Sequence, residues 1–340
     1  MSQTINKILI IGPSWIGDMV MAQSLFKALK SDNPDVLIDV LALAWTKPLL
    51  DRMPEVNKAI TMPINHGVFG WNMRKELGHE LRKEHYDQAI ILPNSWKSAL
   101  IPWFANIPIR TGWRGEMRYG LINDIRTLDK LSVPLMVQRY VSLAYPASQS
   151  NIPPSYPIPL MVAEAVSADF QIERGEEQSR LILCPGAEFG PAKQWPASHF
   201  AELAITHLEL GWQLLLLGSQ ADKNISEQII KHIPSKHQSS VFNLCGKTAL
   251  SDAIDLLGTA DLVVSNDSGL MHITAALQKN LTVIYGPTSP SFTPPLASNS
   301  QVVQLDVECG PCFQKACPEG HHKCMRDLTS EIVMKRTKKT

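Results

Sequence analysis

The chain has 340 residues, 44% of them apolar and 19% charged, enough to give each of two domains its own core. Its 32 basic side chains balance 32 acidic ones, which argues against a nucleic-acid binder. The densest apolar run, Leu214 to Leu217, is strand-sized, so no membrane-spanning segment is expected.

Lys7–Ile11 (KILII) is a continuous apolar run closed by Gly12 and Pro13, which predicts a buried strand. It is too short for the apolar core of a secretory leader, and a cytoplasmic chain is expected. Met19 to Lys30 places Met21, Ala22, Leu25, Ala28 and Leu29 on one helical stripe. Strands follow at Val36–Ala42, Lys58–Met62, Asp87–Leu92 and Ile107–Gly112, with helical patterns such as Met73–His85 between them. From Pro146 to Pro159 the periodicity stops, and prolines 146, 153, 154, 157 and 159 make a stiff connector.

A second series then begins. Strands are predicted at Arg180–Cys184, Trp212–Leu217, Val241–Leu244, Asp261–Val264 and Leu281–Tyr285. Helices are predicted at Pro196–Leu210, Asp222–His232, Leu250–Gly258 and Ser268–Leu277. Alternating strand and helix predicts the α/β class: two doubly wound, Rossmann-like domains facing across a cleft. The expected division is 1–150 for the first domain, 151–165 for a proline-rich linker, 166–328 for the second domain and 329–340 for a basic tail, whose Lys335–Lys339 either are solvated or touch an anionic membrane surface.

The loops carry the chemistry. In Val263–His272 (VVSNDSGLMH) a buried strand ends in a tight turn and a helix opens at Ser268 and Gly269. Free N–H groups and the positive end of the helix dipole favour a phosphate there. Asp267 lies at the strand's carboxyl end, where open parallel sheets bind ligands, and His272 shares the helix face of Gly269. The alternative is an ordinary turn with Asp267 as a cap. Gly12–Asp18 (GPSWIGD) is neither a dinucleotide fingerprint nor a P-loop. Asp18 is either a dipole partner of the first helix or a general base for a sugar hydroxyl.

Lys97, Arg110, Arg114 and Arg118, with Trp96, Trp103 and Trp113 nearby, form a positive, aromatic lip beside two strand ends. These charges are either solvated or recognise an anionic, sugar-bearing acceptor, with Trp113 offering a stacking face. In Pro185–Pro196, Lys193 is either solvated or poised opposite Ser268 and Gly269 to hold a diphosphate. Asp222 either accepts ribose hydroxyls or caps its helix, and Thr248 can wall a base pocket. Cys309, Cys312, Cys317 and Cys324, with His321 and His322 between them, have a spacing that admits a structural zinc, free thiols or a disulfide.

Taken together, GPSWIGD, LPNSWKSAL, RTGWRGEMRYG, PGAEFGPAKQWP, NDSGLMH and YGPTSPSFTPP resemble the ADP-heptose:lipopolysaccharide heptosyltransferases. The wording is most similar to the heptosyltransferase II members, over about Lys7 to Asp327. The resemblance implies the two-domain GT-B fold, with the acceptor in the first half and the ADP-sugar in the second. It implies inverting transfer of L-glycero-D-manno-heptose from ADP-heptose to the first heptose of heptosyl-Kdo2-lipid A, at the cytoplasmic face of the inner membrane with peripheral, transient contact. By position it makes Asp18 the catalytic base and Lys193 the group that stabilises the leaving ADP. Asp267, Ser268, Gly269 and His272 then line the phosphates and heptose, and Asp222 and Thr248 face ribose and adenine. The sequence has no D-x-D motif, so no required metal cofactor is expected. Two other readings stand beside this one. One is a related heptosyltransferase with another core acceptor. The other is a non-catalytic nucleotide-sugar-binding scaffold, which would need neither Asp18 nor Lys193.

Overall fold

The structure, a computed structural model, describes residues 5–64 and 67–337. It divides into two compact units, Met1–Pro159 and Leu160–Thr340.

The first unit runs β1 (Lys7–Ile11), α1 (Ile16–Asp32), β2 (Leu37–Leu43), α2 (Lys47–Leu50), β3 (Lys58–Met62) and α3 (Trp71–Leu81). It continues through β4 (Gln88–Ile91), α4 (Leu100–Phe104), β5 (Ile109–Trp113), β6 (Asp124–Arg126) and α5 (Met136–Val141). Its sheet has the order β3-β2-β1-β4-β5-β6, and every pair is parallel. Central strands of such a sheet are covered on both faces, which is why KILII is apolar without alternation and Ile8 to Ile11 are buried.

The second unit repeats the pattern: β7 (Arg180–Cys184), α6 (Ala197–Glu209), β8 (Gln213–Leu216), α7 (Lys223–His232), β9 (Val241–Asn243) and α8 (Leu250–Gly258). It closes with β10 (Leu262–Asn266), α9 (Gly269–Ala276), β11 (Leu281–Tyr285), β12 (Ser300–Gln304), α10 (Lys323–Arg326) and α11 (Ser330–Thr337). Its all-parallel sheet is ordered β12-β11-β10-β7-β8-β9. Counted from its own first strand this is the 3-2-1-4-5-6 winding of the first unit. In each sheet the order reverses beside the first strand, between β1 and β4 and between β7 and β10. Ligands of doubly wound sheets bind at the carboxyl ends of those strands.

Several elements depart from the sequence reading. β6 and β12 are short sheet edges, and in β12 only Val303 is buried, so neither shows a core pattern. α5 is six residues long, too short for helical periodicity to register. α1 starts three residues earlier than its apolar stripe, because Gly17 and Asp18 interrupt that stripe, and this puts Asp18 in the first helical turn.

The expected linker 151–165 is not free along its length. Met161 is buried, its N–H donates to Ala276 O at 2.9 Å, and Glu164 N–H donates to Asp255 Oδ1 at 2.9 Å. The tail 329–340 packs in part on the second core, with Lys335 and Arg336 exposed. Ser330–Thr337 is a helix whose Val333 is fully buried beside Leu328 and Met325 in the second core, and residues 338–340 lie outside the described residues. The three-residue apolar run Ile332–Met334 is too short to show a helical period, yet burying Val333 is worth about 2 kcal/mol.

Candidate active site

In the first unit the switch point is built by the loop from β1 into α1. Gly12 lets this loop pack closely: a Cβ would come within 2.7 Å of Met19 Cε, which would have to move, and 3.3 Å of Ala42 Cβ. The tight strand end delivers Asp18 to the amino-terminal turn of α1, where the helix dipole favours a negative charge. Asp18 is half-buried. Its Oδ1 accepts a hydrogen bond from Tyr140 Oη of α5 at 3.1 Å. Burial, and after it the charge of Asp18, raises the Tyr140 phenol far above its ordinary range, so the phenol stays protonated and donates. Tyr140 is 122 positions from Asp18, and no sequence pattern links them.

The lip of arginines does not form as expected. Arg118 is buried, and its guanidinium donates to Pro93 O at 2.6 Å, to Ser98 Oγ at 3.2 Å and to the carbonyl of Trp113. Desolvation pushes its pKa down to about 10. Arg110 donates to Leu121 O at 2.6 Å and to the carbonyl of Ile107. Trp113 is buried and donates through Nε1 to Arg139 O at 3.0 Å, so it offers no stacking face. Arg110 and Arg118 thus serve backbone carbonyls of the 93–121 segment, and Trp113 serves that of Arg139 on α5. Arg114 is exposed and Lys97 half-buried, and both remain open to a ligand.

In the second unit Asn266, at the end of β10, is fully buried. Its Nδ2 donates to Pro185 O at 2.9 Å, and its Oδ1 accepts from Trp195 N–H at 3.3 Å. One amide therefore ties the loop after β7 to the end of β10 across the switch point. Lys193 is carried on that loop in a short 3-10 turn, Pro191–Lys193. Its Nζ lies 2.6 Å from Asp267 Oδ2 and 3.3 Å from Asp267 O, with the Phe189 ring 5.0 Å away. Thr288, just past β11, donates to the same Oδ2 at 2.7 Å.

Ser268 is the N-cap residue of α9 and makes no side-chain cap bond; its Oγ lies 3.2 Å from Ser265 Oγ. Gly269 opens the helix. The first N–H groups of α9 thus sit next in sequence to the Lys193–Asp267 pair. His272 is buried in α9, and desolvation pulls its pKa down to about 4 against the opposing pull of Asp267, so the ring is neutral near pH 7.

Asp222 forms the capping alternative, its Oδ2 accepting from Ser219 N and Ser219 Oγ at 2.8 Å each. It packs against two strand-end glycines, since a Cβ on Gly186 would lie 2.6 Å from its Oδ2 and one on Gly218 2.9 Å from its Cβ. Thr248 is half-buried just before α8. Asn266 and Thr288 were legible only as members of NDSG and YGPTSP, at the carboxyl edge of the sheet. Nothing singled them out from their neighbours.

The cysteine segment lies against the same loop, with Ala192 N–H donating to Lys315 O at 3.0 Å. Cys309, Cys312, Cys317 and Cys324 are free thiols that line one small cavity with His321. Cys309 Sγ is 4.0 Å from His321 Nε2, and His322 N–H donates to Cys317 Sγ at 3.4 Å, which lowers that thiol's pKa. Among the described residues no group of three or more His, Cys, Asp or Glu side chains is disposed to hold a metal. The zinc reading of the spacing therefore finds no formed ligand set. Among the described residues no helix is long and apolar enough to cross a membrane.

Residues 74–323 match the family model for glycosyltransferase family 9 (heptosyltransferase). The chain is 48% identical over 337 residues to lipopolysaccharide heptosyltransferase 2 of Salmonella typhimurium, and 46% identical over 340 residues to the protein of that name in Escherichia coli. Each alignment covers 96% of both chains. The solved structure of the E. coli ADP-heptose LPS heptosyltransferase II superposes with a TM-score of 0.85 at 44% identity, covering 98% of each chain. With both sheets wound alike and a cation, a buried carboxylate and a helix N-terminus together at one switch point, this chain belongs to glycosyltransferase family 9, the heptosyltransferases.

Proposed function

We propose that this enzyme transfers L-glycero-D-manno-heptose from ADP-heptose to the first heptose of heptosyl-Kdo2-lipid A, with inversion at the anomeric carbon. The observation that carries the reading is the Lys193–Asp267 pair beside the start of α9, in a chain nearly half identical to heptosyltransferases 2 along its whole length. The diphosphate sits at Ser268 and Gly269, and Lys193 turns toward it as negative charge grows on the departing ADP. Asp267 and the neutral His272 orient the phosphates and heptose. Asp222 and Thr248 bound the nucleoside end.

Asp18 takes the proton of the attacking acceptor hydroxyl as that oxygen bonds to the anomeric carbon and the bond to ADP breaks. Tyr140 holds the carboxylate in place. Arg114 and Lys97 meet the anionic acceptor. Lys193 and the first N–H groups of α9 supply the positive charge the leaving group needs, and we hold that no divalent metal is essential. The work is done in the cytoplasm, on an acceptor borne by the inner membrane.

The experiment is transfer itself: purified enzyme with ADP-heptose and heptosyl-Kdo2-lipid A in EDTA, following ADP release and the mass of the acceptor. Gain of one heptose supports the reading. No transfer until Mg2+ or Mn2+ is restored overturns its metal-free part.

A further inference from the structure

The first unit presents an unusual edge. Among the described residues, each of its first four strands leads at its carboxyl end to an aromatic side chain that reaches solvent. Trp15 follows β1, Trp45 follows β2, Phe69 and Trp71 follow β3, and the half-buried Trp96 follows β4. Phe69 and Trp71 are 47% and 42% exposed. They stack with each other at 6.0 Å between centroids, and with Trp96 at 6.0 and 6.5 Å. Among the described residues of the second unit, Trp195 is fully buried and Trp212 half-buried, while Phe313 is exposed in an edge-on pair with Phe292.

The stack is built rather than incidental. Arg74 is buried beneath it and donates to Phe69 O at 2.6 Å, Lys97 O at 3.2 Å and Val68 O at 3.4 Å, tying the β3 and β4 loops into one platform. Trp71 also meets the buried Phe104 edge-on at 5.2 Å, so the stack is anchored on the core while Phe69 and Trp71 keep over two-fifths of their surface in water; exposed apolar patches of this kind mark interaction surfaces.

We propose that this aromatic edge docks the enzyme on the phospholipid bilayer that carries its acceptor. The inference rests on the lipid-linked acceptor proposed above. The acyl chains of such an acceptor stay in the bilayer, so the protein must come to the membrane surface. Indole and phenyl rings with one wet side concentrate at that interface. The edge is also the one from which α1 presents Asp18, so docking by it brings the base to the side where the sugar emerges. The chain's formal charge is zero, so apolar insertion holds it there, and salt has little influence.

The test uses the full chain and vesicles of phosphatidylethanolamine with a minority of phosphatidylglycerol. Wild type is expected to co-sediment, with affinity changing less than about twofold as salt is raised. Phe69→Ser/Trp71→Ser is expected to bind about tenfold more weakly or worse. It should keep wild-type transfer to a de-acylated, soluble acceptor while losing transfer to acceptor in vesicles. A wild type that stays in the supernatant overturns the proposal, as does a double variant that sediments like wild type. Equal loss on the soluble acceptor assigns the patch to sugar binding instead. A wild-type dimer that the substitutions dissociate assigns it to a second copy of the chain. Sedimentation is read without turnover, so failure of the docking surface and failure of the acceptor assignment are separate results.

Discussion

Lys193 Nζ and Asp267 Oδ2 lie 2.6 Å apart, with the side chains 13% and 5% exposed, so the cation proposed for the leaving diphosphate is paired to a buried carboxylate. A buried pair balances desolvation against attraction, but a buried charge left alone is costly. Lys193→Met should therefore lose about 3 kcal/mol of stability by chemical denaturation, even with Thr288 still donating to Asp267. Below its melting range the variant should show a higher KM for ADP-heptose and a lower kcat. Unchanged stability together with unchanged kinetics would remove Lys193 from the account.

Asp18 and Tyr140 make a graded pair of tests. Asp18→Asn keeps the shape and removes the base, so kcat should fall by about 10^2 to 10^4 while donor affinity holds. Tyr140→Phe removes one hydrogen bond to the carboxylate and leaves the ring in the core, and kcat should fall about tenfold. Steady-state rates with donor and acceptor varied separately distinguish these effects. Turnover by Asp18→Asn at the wild-type rate would refute the base.

His272 makes stability depend on pH with a definite sign. Its folded pKa is about 4 against an ordinary 6.5, so between those values the unfolded chain binds the proton and the native one does not. Stability should rise with pH across that window and be fully present above it. The contribution lost on acidification is about 3 kcal/mol. Denaturation series at pH 4 to 7 on wild type and His272→Gln measure it: the difference between them should shrink as pH falls. Parallel curves would show that the ring does not titrate as described.

Arg118 and Arg114 are four positions apart and should fail differently. Arg118→Met strands carbonyls at Pro93 and Trp113 and should cost about 3 kcal/mol without changing acceptor KM. Arg114→Met should leave the melting temperature alone and raise acceptor KM. The reverse pattern would restore Arg118 to the acceptor surface.

What could be read in advance follows from the physics of each signal. Covered parallel strands such as Lys7–Ile11 and Leu281–Tyr285 are apolar at all but one position each, without alternation, and their limits agree with the structure residue for residue. Edge strands such as Ser300–Gln304 bury one side chain and leave almost no pattern. Loop residues at the sheet's carboxyl edge were legible as a class, which is why Lys193 and Asp267 were both named. Their pairing was not, because it depends on the angle of one 3-10 turn. Arg110 and Arg118 depart from the sequence reading because composition does not say whether a guanidinium faces water or a carbonyl. Tyr140 was invisible because a tyrosine on a short helix looks like core until its hydroxyl finds a partner.

The most direct test of the central claim compares two acceptors that differ by one sugar. The purified enzyme is given ADP-heptose with either heptosyl-Kdo2-lipid A or Kdo2-lipid A, and the products are read by mass and by the anomeric configuration of the new linkage. The account predicts ADP release and one added heptose, with inverted configuration, on the heptosylated acceptor alone. Equal transfer to Kdo2-lipid A, or a retained configuration, would contradict it.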